Sequence, residues 1–118
     1  MPRRVEPVKK FRKEVLDDFR SPSKDCVTGA DFLLEELDNE DPDLNERCGL
    51  LADRHEVYAV RVPRCPHLVL AVSLDLGERR PWPCTVHGLL PSQNACEAAR
   101  QRAARHFDLI DPGWEPAK

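Results

Sequence analysis

The chain has 118 residues, enough for one domain and too few for a two-domain enzyme. Charged residues make up 33% and hydrophobic ones 41%, a balance that excludes a wholly disordered chain, and a net charge of −3 argues against general nucleic-acid binding. Charge is nonetheless segregated, with +4 over residues 1–24, −9 over 25–57 and +2 over 58–118, so a local basic face remains open.

From the N-terminus, Pro2 and Pro7 leave room only for a very short edge strand around Val5. Val8, Phe11, Val15 and Phe19 then recur at helical spacing. Ser21-Pro22 reads as an N-cap followed by a first helical proline, and Cys26, Ala30, Leu33, Leu34 and Leu37 continue as a second apolar stripe. The two segments predict an antiparallel helical hairpin. The acid-rich stretch Asp38 to Arg47, interrupted by Pro42, predicts a solvated loop. At Val57 the period changes to two: Val57, Ala59 and Arg61 alternate with Tyr58, Val60 and Val62. Leu68 to Leu74 is a continuous apolar run suited to a central strand, and Trp82 to His87 predicts a third, ended by Gly88. Pro91-Ser92 introduces an alanine- and arginine-rich helix through Ile110 that stops before Pro112-Gly113. The expected architecture is α+β: an N-terminal helical hairpin, a three- to four-stranded antiparallel sheet and a C-terminal helix, forming one domain over 1–118 with its core within about 8–110.

Five cysteines, an odd number with no apolar leader behind Met1-Pro2-Arg3-Arg4, suggest reduced thiols in the cytoplasm. Cys65-Pro66-His67 and Cys84-Thr85-Val86-His87 contain two Cys and two His, a ligand set that zinc prefers. Antiparallel order sets Cys84 away from Cys65, and alternation turns Cys84 and His87 to opposite faces, so no metal or cofactor is expected.

Three pieces of the chain carry a family likeness: Lys10-Phe11-Arg12-Lys13-Glu14-Val15; Gly49-Leu50-Leu51 followed by Glu56-Val57-Tyr58-Ala59-Val60-Arg61-Val62; and Val86-His87-Gly88-Leu89-Leu90-Pro91 leading to Ala98-Ala99-Arg100-Gln101-Arg102-Ala103. In these the sequence resembles the RelE/ParE superfamily of bacterial toxins, most closely the HigB-like, phage-derived branch. The resemblance covers about residues 8–107 and is one of pattern. It implies a toxin component of a type II toxin-antitoxin system, a metal-independent mRNA endoribonuclease acting on the ribosome and neutralised by a cognate antitoxin protein. Carried over residue by residue, Arg61 and His87 become the catalytic candidates. Such a reaction needs a proton acceptor for the 2′-hydroxyl, a donor for the leaving oxygen and a cation for the phosphate. A histidine and a guanidinium fork suit those tasks. Arg79, Arg80, His67 and Trp82 are the RNA-binding candidates.

The chain departs from the family where an aromatic and two lysines should follow His87-Gly88. Leu89, Leu90, Pro91 and Ser92 stand there instead. Lost phosphate-binding cations motivate an alternative reading, a non-catalytic binding module that keeps the toxin fold and holds an acidic partner protein through Lys9–Lys13 or Arg100–Arg105.

Overall fold

The computed structural model describes residues 5–7, 17, 18, 20, 23–77, 79, 82–110 and 112–116. Along the chain run β1 (Val5–Pro7), α1 (Lys24–Leu37), a 3-10 turn (Leu44–Glu46), β2 (Arg47–Ala52), β3 (His55–Val62), β4 (Cys65–Asp75), β5 (Cys84–Pro91) and α2 (Ala95–Ile110). The fold is α+β, as expected. Strands β2 to β5 form an antiparallel meander, and β1 adds to its β5 edge in parallel, giving the order β1-β5-β4-β3-β2.

Alternation on the sheet divides the core in two. Tyr58, Val60 and Val62 of β3 and Leu70, Val72 and Leu74 of β4 meet Cys26, Ala30, Leu33 and Leu37 of α1. On the opposite face Val57, Ala59, Val69 and Ala71 meet Ala99, Ala103 and Phe107 of α2. A three-layer sandwich of helix, sheet and helix results, because both faces of the central strands are apolar and each needs a cover.

Several sequence expectations are corrected. Most of the first predicted helix, 8–19, lies outside the described residues; Asp17, Asp18 and Arg20 are helical there. Among the described residues the long helices number two rather than three. The N-cap of α1 is Ser23, two residues after the predicted one, with its hydroxyl accepting from the Cys26 amide at 3.4 Å. The end of the predicted acid-rich loop is strand, since Arg47 opens β2. Gly88 does not end the last strand. The register of β4 and β5 slips between Ala71 and Val72, so that two residues of β5 oppose one, and the strand continues to Pro91. The bulge resets alternation: Val86 and Leu89 both join the α1-side core, while Leu90 joins the α2-side core with His87 facing His106 and Phe107. A side chain at position 88 would collide with Asp18 and Arg102, which form an ion pair of 2.9 Å over that glycine.

Four of the five cysteines are paired, against the expectation of reduced thiols. Cys26–Cys65 ties the first turn of α1 to the start of β4, and Cys48–Cys96 ties β2 to the first turn of α2. Cys84 is a buried free thiol. An odd cysteine count excludes only complete pairing; two bridges and one buried thiol satisfy it equally. Among the described residues no helix is long and apolar enough to cross a membrane.

Candidate functional site

Arg61 is the exposed member of β3, flanked by buried Val60 and Val62. It sits opposite Val69, immediately before a bulge that shifts the β3–β4 register, so its stem leaves the sheet at an irregular edge. The 3-10 turn brings Glu46 beside it. Asp43 caps this turn by accepting from the Asn45 amide at 2.9 Å. Burial pushes the Glu46 carboxyl above its ordinary pKa, with the Asp43 charge adding to the rise and Arg61 opposing it. One Glu46 oxygen, Oε2, is buried without a hydrogen-bond partner.

Glu46 and Arg61 line two adjoining clefts, one on either side of β3. The first, toward α2, also holds Asn45 and Ser92. The second, toward α1, is rimmed by Glu36, Glu40, Asp41 and Asp43 over a floor that includes Leu33, Leu37 and Val60. Five of the eleven acids of residues 25–57 therefore line one cleft, and Arg61 is the cation at its margin.

His87 is placed elsewhere. It is fully buried, its Nε2 lies 2.8 Å from the Ser73 hydroxyl, and its Nδ1 lies 2.9 Å from Nδ1 of the equally buried His106. A single proton fits between those two nitrogens. Burial, reinforced by His106, Arg102 and His55, pushes the His87 pKa down to about 3. The ring is thus neutral and sealed under α2, two strands or roughly 10 Å across the sheet from Arg61. The two predicted catalytic residues are not brought together.

The remaining candidates are scattered. Arg79 is exposed in the β4–β5 connection, and Arg80 lies outside the described residues. Trp82 is half-buried and packs on the α1-side core, a lid on its edge. His67 is exposed, with Nε2 3.7 Å from the Cys26 sulfur and 3.6 Å from that of Cys65. The four-residue zinc set weighed from the sequence does not assemble, because Cys84 pairs in register with Leu74, at the far end of β4 from Cys65. Of the basic segments weighed for a partner, Lys9–Lys13 lie outside the described residues, and on α2 Arg105 is exposed while two arginines are engaged within the chain. Arg100 donates to the Cys48 and Leu50 carbonyls, and Arg102 to Asp18 and the His87 carbonyl.

Sequence reasoning missed Glu46. It lies among acids whose commonest role is solvation, and only the 3-10 turn distinguishes it from them. Compared with known proteins, the chain matches no family model, no curated protein and no solved structure.

Proposed function

We propose that the chain is a non-catalytic binding module that holds a basic segment of a partner protein in the acidic cleft between α1 and β3. One observation carries this reading: four rim carboxylates and Glu46, one of whose oxygens is buried without a partner, surround an apolar floor. Crowding of like charge and desolvation raise the energy of the empty cleft, and a lysine or arginine flanked by an apolar anchor relieves both. In the terms of the RelE/ParE resemblance, the occupant corresponds to an antitoxin segment. The test is fluorescence anisotropy with a labelled amphipathic Lys/Arg-rich peptide. The wild-type protein binds it, and Glu36→Lys with Glu40→Lys weakens binding at least tenfold, an effect that salt reduces. Equal binding by wild type and the double variant contradicts the assignment.

A second reading, the mRNA endoribonuclease of a toxin-antitoxin pair, is favoured by a different observation. In the first cleft Arg61 stands beside a carboxyl with a raised pKa, a cation for phosphate next to a proton-transfer group. In this reading Glu46, not His87, moves the proton, and induced expression arrests growth with fragmented mRNA unless Arg61→Ala or Glu46→Gln is introduced.

Location follows from the cysteines. The two bridges persist in an oxidising compartment, whereas in a reducing cytoplasm the same four residues become thiols.

A further inference from the structure

We propose that Cys26, Cys65 and His67 form a zinc site that the Cys26–Cys65 disulfide masks and two-electron reduction opens. Among the described residues these three are the one Cys/His group whose ligand atoms all lie within 4.8 Å of one another. Cys65 and His67 are two residues apart on β4 and so share a face, while Cys26 reaches them from the first turn of α1. The position of His67 is fixed from behind, its carbonyl accepting from the Ser92 amide at 2.9 Å.

The spacing suits the metal. Zinc–sulfur bonds of about 2.3 Å and zinc–nitrogen bonds of about 2.05 Å at a tetrahedral angle set sulfur and nitrogen about 3.6 Å apart. His67 Nε2 lies 3.7 Å from one sulfur and 3.6 Å from the other. Two of the three ligand-to-ligand edges therefore already have the required length. The third, between the sulfurs, widens once their bond is broken, because two thiolates on one ion sit farther apart than two bonded sulfurs. The start of α1 also favours negative charge at Cys26.

The chemistry balances with a dithiol reductant. One of its thiolates attacks a bridge sulfur and forms a mixed disulfide; its second thiol resolves this, leaving the reductant as its own disulfide and Cys26 and Cys65 as thiols. Zinc then displaces one proton from each thiol and takes the Nε2 lone pair of His67, and water fills the fourth position. His67 is exposed, so the ion has a path to the site.

The experiment uses the full chain carrying Cys48→Ser and Cys96→Ser, which removes the other bridge. It is reduced with a dithiol, desalted without oxygen and titrated with zinc ion against a chromophoric chelator. Expected are one zinc per reduced chain, none per oxidised chain, and at least tenfold weaker binding for His67→Ala, whose exposed side chain is dispensable for folding. Cobalt substituted for zinc gives the visible absorption of a tetrahedral thiolate site, weakened in the same variant. Absence of zinc from a reduced chain that circular dichroism shows to be folded overturns the proposal, as does binding that His67→Ala leaves unchanged.

Discussion

His87 shows how burial changes what a residue can do. A ring with no exposed surface, bonded to Ser73 on one side and His106 on the other, holds β4, β5 and α2 together rather than meeting a substrate. Truncation to His87→Ala removes the contacts with Ser73 and His106 and opens a cavity, and should cost about 3 kcal/mol, measured by urea unfolding at neutral pH. The depressed pKa adds a pH signature. Between about 6.5 and about 3 the unfolded chain binds a proton at this position that the folded one refuses, so stability falls as pH falls through that window. The fall should be shallower in His87→Ala, and parallel curves for the two proteins would remove the residue from this role. Glu46 works in the opposite sense. Its carboxyl is held above its ordinary pKa, so folding favours the protonated form and stability declines as the group ionises. Glu46→Gln should accordingly raise the urea midpoint at neutral pH while weakening peptide binding, the pattern of a group kept for function at a cost in stability. Of these two residues the sequence revealed one. His87 was visible as a titratable group at a strand, but its burial depends on α2 closing over β5, a contact between segments far apart in the chain.

At the scale of elements, the legible parts were those with an unbroken period. Alternation over Val57–Val62, the apolar run in β4 and the alanine stripe of α2 all appear where their spacing placed them. Irregular elements were hidden. Strand β2 carries two register shifts and a positive φ at Gly49, which erase its alternation, and the bulge in β5 makes Gly88 read as a breaker. The bridges were hidden by distance, since their partners stand 39 and 48 residues apart. At such loop lengths each bridge should contribute about 4 kcal/mol by the chain-entropy estimate. Replacing Cys48 and Cys96 by serine should lower stability by that order. Under denaturing, non-reducing conditions a maleimide should label Cys84 alone, and labelling of all five cysteines would contradict the pairing. The α1–sheet contact has its own test. At Gly29 an added Cβ would run into the carbonyl of Pro63, so Gly29→Ala should destabilise by about 2 kcal/mol as the helix is pushed from the sheet.

Across the whole molecule, charge and fold act together. The sandwich brings Glu36, Glu40, Asp41, Asp43 and Glu46 to one cleft, while Arg100 and Arg102 bond to the β2 carbonyls and to Asp18. A chain with a modest net charge thereby presents one markedly acidic cleft, with Arg61 at its margin. Such a surface repels a phosphate backbone and attracts a basic peptide, which separates the binding reading from the nuclease reading. The most direct measurement is an amide chemical-shift titration of the oxidised protein with an amphipathic Lys/Arg-rich peptide and, separately, with single-stranded RNA. The binding reading predicts saturable shifts from the peptide, confined to residues around 33–46 and 60–63, and none from RNA. Shifts from RNA centred on Arg61 and Ser92, with no response to the peptide, would contradict it.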